Sequence, residues 1–525
     1  MAKLTAPTTT GTLSRRAFLG SASALTLAPA LARASASNEL DVAIVGGGVA
    51  GTYAAWRLAL ARPHLKTRLF EASDRIGGRL HSVSFPQAPH LVVEGGGMRF
   101  LDAHRHVSRL ARTLELATRE FPVDRDQDRV MLRGANYSES EVRAGAAHFP
   151  YRVPDRDQAL DADYFGRAIA KIVPGVRGAS DWRKIRAGYL FKGKQLRDWT
   201  NRALLLEGMS EEELALTEDA SGYDDWIEGE SGLDELDYYF AHDDESQPFQ
   251  TLVGGYQGLP LTLAERAANA GAGVARTERL VSLGVTSSGF ALAFRDRLDR
   301  VSELTSTSVI LALPRRALEC IADFPLARQP RFASLIASVT PIPACKSLLL
   351  YERPWWREHG IVEGRSITDM PARQFYCFGA EPERTASEAA GGYGVLMAYC
   401  DEKSVQTWTA LAAPNAGFVS LDGDAALARE VHREAQLVIG TTDLKPLAAY
   451  FQNWTVDPYG GGWHYYALGH DGEADAEAIL KPIPDQELYV CGEAYSHAQG
   501  WVEGALERTE TVLQRHFGLV PPAWL

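Results

Sequence analysis

The chain has 525 residues, 46% hydrophobic and 23% charged, an ordinary globular composition with length for two or three cores. Its formal net charge of −13 argues against nucleic acid and anionic membranes as partners. The five cysteines all fall between Cys320 and Cys491 with no C-x-x-C or metal-ligand spacing, so buried free thiols and no metal site are expected.

The first segment reads as an address. Ser14-Arg15-Arg16-Ala17-Phe18-Leu19 precedes a mildly apolar, alanine-rich run over Gly20–Ala32. That run is shorter than the roughly 20 residues that span a bilayer. Ala32-Arg33-Ala34 and Ala34-Ser35-Ala36 are small-x-small cleavage candidates. The arginine pair resembles a twin-arginine motif. It implies that residues 1–36 are a signal, that the precursor engages the twin-arginine export machinery, and that the mature protein is periplasmic or secreted. Residues 1–36 carry Lys3, Arg15, Arg16 and Arg33 and no acids, so their loss takes the net charge to −17. No later segment is long and apolar enough to be a stable membrane span.

Residues 40–45 form an apolar, β-branched strand of the buried parallel kind. Gly46, Gly48 and Gly51 follow with G-x-G-x-x-G spacing. The first permits the tight turn, the second lets backbone approach a pyrophosphate, and the third lets helix and strand pack closely. A helix over Val49–Ala61 points its positive end at the phosphates. A second strand, Thr67–Phe70, ends at Glu71, which lies 20 residues after Gly51, where a ribose-hydroxyl acceptor is expected. Ala72-Ser73-Asp74-Arg75-Ile76-Gly77-Gly78-Arg79-Leu80 then offers two glycines for close passage and an arginine that can reach a phosphate or an aromatic cofactor.

The pattern is helical from His104 to Arg119, polar with strands and loops over 120–160, and mostly helical over 161–245. Residues 223–245 are unusually acidic, with Asp224, Asp225, Glu228, Glu230, Asp234, Glu235, Asp237, Asp243, Asp244 and Glu245; a solvated face is the plainest account. Val253–Pro260 leads into a helix over Leu261–Ala270. Two strands follow with a hairpin at Ser287–Gly289, and Ser308–Leu313 is a buried strand ending at Pro314. Ser347–Tyr351 and Val395–Tyr399 are apolar strands, and Leu488–Gly492 is the last. No repeat is present. The interleaved order predicts a mixed α/β (α+β) protein with discontinuous domains. These are 38–81, 249–330 and 456–520 around the dinucleotide, 82–150 and 331–455 as a mixed-sheet substrate domain, and 151–248 as a helical subdomain.

With the glycine motifs stand Val93-Glu94-Gly95-Gly96-Gly97-Met98-Arg99-Phe100, Val253–Pro260, Arg365-Ser366-Ile367-Thr368-Asp369-Met370-Pro371, Gly394-Val395-Leu396-Met397-Ala398-Tyr399, Gly492-Glu493 and Gly500-Trp501. Together they resemble the L-amino-acid oxidases of the flavin amine-oxidase superfamily, over nearly everything after residue 38. The resemblance implies a Rossmann-like GR2-type FAD-binding domain. It implies an L-amino acid and molecular oxygen as reactants, giving a 2-oxo acid, ammonia and hydrogen peroxide, and it implies a homo-oligomer, a dimer. Residue by residue, Arg99 would clamp the substrate carboxylate bidentately, which no lysine reproduces. Tyr399 would donate a second hydrogen bond to that carboxylate, and Lys346 would hold a water near the flavin. Gly500 would accept from the amine through its carbonyl, and Trp501 would wall the pocket. Glu493 would meet the ribityl or phosphate region. Gly97, Met98, Leu280, Trp454, Gly492 and Val502 complete the cofactor's surroundings, with Arg99 and Trp501 serving both ligands. Trp463, His464, Tyr465 and Tyr466 would wall the flavin or the side-chain pocket, or pack as core.

Two departures from the family pattern matter. No cysteine occupies Tyr459–Trp463, where monoamine oxidases carry a flavin thioether, so FAD is expected to be non-covalent. The histidine that some members place at the mouth of the site has no counterpart, and the acidic stretch stands there instead, which suggests a preference for arginine or lysine side chains. Other readings stay open: an amine or polyamine oxidase, an amino-acid 2-monooxygenase, or a secreted flavin-binding protein without catalysis.

Overall fold

The computed structural model describes residues 39–153, 164–224, 229–241, 248–377, 392–412, 416–421 and 425–525. The expected export signal, and Asp225, Glu228, Asp243, Asp244 and Glu245 of the acidic stretch, lie outside the described residues.

The architecture is mixed α/β, built on two large sheets. The first has seven strands. Gly273–Ala275, Thr67–Phe70, Glu39–Val45 and Val301–Leu311 run parallel in that order. Val301–Leu311 then forks: its first half pairs antiparallel with Gly289–Arg295, its last three residues pair parallel with Leu488–Val490, and Gly289–Arg295 continues to Arg279–Thr286. The fork brings residue 490 beside residue 311, and so delivers the carboxyl-terminal glycine motif to the amino-terminal one.

Val42–Val45, the inner part of the strand Glu39–Val45, reads as a continuous apolar run because both of its faces are covered. Val42 and Ile44 enter one core with the helices Val49–Ala61, Gly258–Asn269 and Val502–Phe517, while Ala43 and Val45 enter another on the opposite face. Each fully buried Val or Ile here contributes roughly 1.5–3 kcal/mol. The helix Val49–Ala61 is buried almost all round, which explains its lack of a polar stripe. Its Tyr53 and Arg57 reach Glu510 on Val502–Phe517 at 2.6 and 2.9 Å, tying together the helices that follow the two glycine motifs.

The second sheet has eight strands, in the order Ala416–Val419, Ala448–Asn453, Ala344–Tyr351, Gly394–Asp401, Gln374–Cys377, Arg365–Thr368, Arg129–Leu132 and Ala135–Ser138. Lys346 lies directly opposite Tyr399 in the antiparallel register, so the two side chains share one face. Short helices between Tyr164 and Ala241 pack around Trp182, Leu204, Leu236 and Phe240.

Several elements differ from the sequence expectation. The helix expected over 104–119 stops at Thr113. Glu115 takes a positive φ of 59°, and Thr118–Glu120 instead pairs with Gln250–Leu252. The helix expected at Leu261 begins at Gly258, and the strand expected at Ser308 begins at Val301, where its half-exposed residues read as polar. Among the described residues no helix is long and apolar enough to cross a membrane, and no cluster of His, Cys, Asp and Glu could hold a metal ion.

Candidate active site

Two clefts meet at Arg79, Gly97, Gly462, Gly500, Trp501 and Val502. The narrower, of about 290 Å³, runs over the glycine turn. Gly51 sits beneath that turn: a Cβ there would stand 1.9 Å from the Gly46 carbonyl oxygen. Gly48 differs, since its Cβ would meet nothing of the protein closer than 3.8 Å, so the missing side chain leaves open space toward the cleft. Val49–Ala61 and Val502–Phe517 both start at this cleft without a side-chain cap, leaving backbone N–H groups for an anion. Glu71 accepts from the Gly47 N–H at 2.6 Å and from the Ser73 N–H at 2.8 Å, which holds the carboxylate at the end of its strand. Leu280 and Gly492 line the same cleft. A glycine cradle, two uncapped helix starts and a fixed acid fit a dinucleotide.

The wider cavity, of about 650 Å³, is where the second sheet, the aromatic loops and the helical segment converge. Arg99 lies over the Phe249 ring at 4.0 Å and donates from Nη2 to the Tyr223 hydroxyl at 3.2 Å, while its Nη1 is buried without a partner. An unpartnered guanidinium nitrogen in an aromatic-lined cavity is a binding group for an anion. Trp501 stands between His104, edge-on at 4.8 Å, and Phe249, stacked at 6.2 Å. Trp454 donates to the Gly95 carbonyl at 2.9 Å. Gly500 adopts φ +80°, a conformation that side chains rarely tolerate, and its N–H is held by Glu493 at 2.7 Å.

Two buried charges set the electrostatics. Lys346 donates to the carbonyls of Gly96 at 2.6 Å and Glu94 at 3.3 Å and contacts the Met98 sulfur at 3.2 Å. Burial pushes its ammonium down to about 7; the Glu94 carboxyl resists the shift and Arg99 adds to it. Burial would raise Glu493, but Arg79 at 2.5 Å, His464 at 3.2 Å and the Gly500 N–H overcome it and hold the carboxyl at about 2. Glu493 lines the dinucleotide cleft with its oxygens engaged by these protein groups.

The acidic stretch divides by environment. Asp224 meets Arg373 and Lys403, and Asp237 meets Arg186. Glu230, Asp234, Glu235 and Asp237 line the cavity. Glu230 and Glu235 both accept from the Asn201 amide, at 2.9 and 2.6 Å. Burial raises Asp234 to about 7 and Glu235 to about 8; the Asp237 charge adds to the shift of Asp234, and the Asp234 charge adds to that of Glu235. The described part of this stretch is largely enclosed, where composition alone suggested a solvated face.

The structure thus gathers Arg79, Gly97, Met98, Arg99, Lys346, Tyr399, Trp454, Gly500, Trp501 and Val502 around the wider cavity. It places Gly46, Gly48, Glu71, Leu280, Gly492 and Glu493 along the narrower one. Gly51 supports the turn from below and lines neither. Tyr399 donates its hydroxyl proton to Asp401 at 3.3 Å. Trp463, His464, Tyr465 and Tyr466 all reach the cavity wall, and His464 also holds Glu493. Sequence reasoning missed Phe249, Tyr223 and Asp401. Only Asp401 carried a signal, as an acid two residues after a candidate site tyrosine.

The family of flavin containing amine oxidoreductases matches residues 49–511, and the chain belongs to it. Achacin of Lissachatina fulica is 25% identical over 516 residues, covering 92% of this chain and 94% of that protein. Aplysianin-A of Aplysia kurodai is 24% identical, covering 91% and 90%. An L-amino-acid oxidase of Crotalus adamanteus is 24% identical over 483 residues, covering 90% and 86%. Among solved structures, a double mutant of putrescine oxidase superposes with a TM-score of 0.68 at 18% identity, covering 91% of this chain and 99% of that one, a likeness of fold. Membership implies a flavin cofactor.

Proposed function

We propose that this flavin-dependent oxidoreductase is an exported L-amino-acid oxidase holding FAD non-covalently. One observation carries the substrate class: the buried, unpartnered Nη1 of Arg99 in the wide cavity. A carboxylate on the α-carbon supplies the anion that this nitrogen lacks, whereas a simple amine would leave a buried guanidinium uncompensated. Gly46, Gly48, Glu71, Leu280, Gly492 and Val502 would hold the dinucleotide, and Gly97, Gly500 and Trp501, which line both clefts, would border the place where its reactive ring meets the substrate. The flavin, when bound, takes up the hydrogen of the α-carbon and passes the electrons to oxygen as peroxide.

The chain's residues bind, orient and handle protons. Arg99 anchors the carboxylate, with a phenol assisting; the sequence resemblance implies Tyr399 for that phenol. The Gly500 carbonyl faces the amine. Trp501 and Trp454 exclude water from the reacting carbon. Lys346, its ammonium pushed down to about 7 by burial, is part deprotonated at neutral pH, and the deprotonated fraction can take a proton through a water and leave the substrate amine uncharged. The imino acid released then hydrolyses to a 2-oxo acid and ammonia.

A preference for arginine or lysine is part of the proposal. Glu230 and Glu235 converge on Asn201 at a corner of the cavity wall, with Asp234 beside them; burial holds much of Asp234 and Glu235 protonated near neutral pH, and a distal cation entering there would draw them into the charged form and pair with them. The same corner gives a diamine its second contact, so an amine or polyamine oxidase is the competing reading. Export through residues 1–36 and a dimeric assembly complete the proposal. Peroxide, ammonia and 2-oxo acid formed in equal amounts from an L-amino acid would support the oxidase. An amide product without peroxide would replace it with a monooxygenase, and turnover of diamines alone would replace it with an amine oxidase.

A further inference from the structure

We propose that Tyr223 is a carboxylate-binding residue of this site, donating from its phenol to the same carboxylate that Arg99 holds, in the role that the sequence resemblance implies for Tyr399. This inference rests on the amino-acid oxidase reading.

The argument is a count of donors. The Tyr223 hydroxyl accepts the Arg99 Nη2 hydrogen at 3.2 Å, and among the described residues it meets no acceptor for its own proton. The neighbouring Arg99 Nη1 is also without an acceptor. Two donors in one cavity, joined through one guanidinium and both lacking an acceptor, suit a two-oxygen anion. The Tyr399 hydroxyl is placed differently. It donates to Asp401 Oδ2 at 3.3 Å, and Asp401 is fully buried with its other oxygen accepting the Asp224 N–H at 2.8 Å. A phenol has one proton, so one that gives it to a protein carboxylate has none for a substrate carboxylate.

The local sequence explains why Tyr223 is held there. The helix Glu211–Ser221 ends at Gly222, whose φ of +77° reverses the chain, and a Cβ at Gly222 would come 2.9 Å from Gln374 Cγ. The Gly222 carbonyl accepts from Gln374 Nε2 at 2.8 Å, and the Tyr223 carbonyl accepts from Arg373 Nη2 at 3.1 Å. Arg373 is itself buried between Asp219 and Asp224. The Tyr223 ring meets the Tyr399 ring edge-on at 5.9 Å. Tyr399 thus serves as a positioning residue, a wall against which the Tyr223 ring rests, with Asp401 fixing its hydroxyl. The carboxylate clamp then spans two parts of the chain, Arg99 after the Gly95-Gly96-Gly97 turn and Tyr223 at the end of a helix in the helical segment.

The test uses the flavin-loaded enzyme and two single-atom deletions, Tyr223→Phe and Tyr399→Phe. Butyrate, a carboxylate without an amine, is titrated while its perturbation of the flavin absorbance is followed, and KM and kcat for L-amino acids are measured beside it. Loss of a hydrogen bond to a charged group predicts roughly 10- to 100-fold weaker butyrate binding in Tyr223→Phe, with KM rising more than kcat falls. Tyr399→Phe is expected to bind butyrate within about threefold of wild type. Equal flavin content and melting temperature in the two variants separate this from damage to the fold. Butyrate binding in Tyr223→Phe within about twofold of wild type would overturn the inference and leave the oxidase reading standing. Absence of butyrate binding in the wild type, with decarboxylated amines still oxidised, would overturn both.

Discussion

Removing the guanidinium of Arg99 tests whether this site selects amino acids by their carboxylate. The group lies over Phe249 at 4.0 Å with Nη1 buried, so a carboxylate paired to it would be shielded from water. Truncating one partner of such a pair costs about 2–5 kcal/mol. That corresponds to roughly a 30- to 5,000-fold fall in kcat/KM. Arg99→Ala should show this fall with L-amino acids. Arg99→Lys should recover only part of it, because an ammonium cannot bridge two oxygens in the plane of a guanidinium fork. The assay is peroxide release from an L-amino acid and, in parallel, from the amine left when its carboxylate is removed. The amine lacks the group that Arg99 would hold, so its slow turnover should change little. An amino-acid kcat/KM in Arg99→Ala within threefold of wild type would refute the reasoning. So would an equal loss with both substrates, which would mean that Arg99 shapes the cavity without pairing.

Lys346 predicts a pH dependence of two kinds. Its ammonium is held down to about 7, so it is charged below that pH and neutral above it; kcat should rise through about pH 7, and this limb should vanish in Lys346→Met. Because the folded value lies below the ordinary 10.5, the buried charge costs stability in full below pH 7, and the cost fades as pH rises toward 10. Lys346→Met should therefore melt higher than wild type at pH 6, with the gap closing by pH 10. Glu510→Ala leaves Arg57 buried without its partner and should destabilise the protein by about 3–5 kcal/mol in denaturant titrations. Flavin should be lost with it, since Glu510 joins the two helices that start at the dinucleotide cleft.

What the sequence made legible is local. Gly46, Gly48, Gly51 and Glu71 were readable because a glycine turn between a buried strand and an apolar helix has few other uses, and the helix Val49–Ala61 and strand Thr67–Phe70 have the expected bounds. Arg99, Lys346 and Tyr399 were reachable only through family resemblance, since no periodicity marks a cavity-facing residue. The remainder was hidden by distance along the chain. Phe249 supports Arg99 because Phe249–Leu252 pairs with strands at residues 100–101 and 118–120, a register that composition does not encode. That pairing is also what stops the helix after Arg105–Thr113. Tyr223 stood only as the first residue of an acidic stretch, and its position follows from the left-handed turn at Gly222 and from a buried arginine 150 residues away. The acidic run misled in the same way. Asp224 and Asp237 have cationic partners, and Asp234 and Glu235 are buried, which charge counting along the chain cannot distinguish from a solvated face.

The central claim, an oxidase selective for L-amino acids, is tested most directly by mixing the flavin-loaded protein anaerobically with L-amino acids, D-amino acids and the corresponding amines, and following the visible flavin band. The account predicts bleaching by L-amino acids, fastest with arginine or lysine, and slow or no bleaching by the amines and D-enantiomers. Bleaching by amines alone, or by none of these compounds, would contradict it.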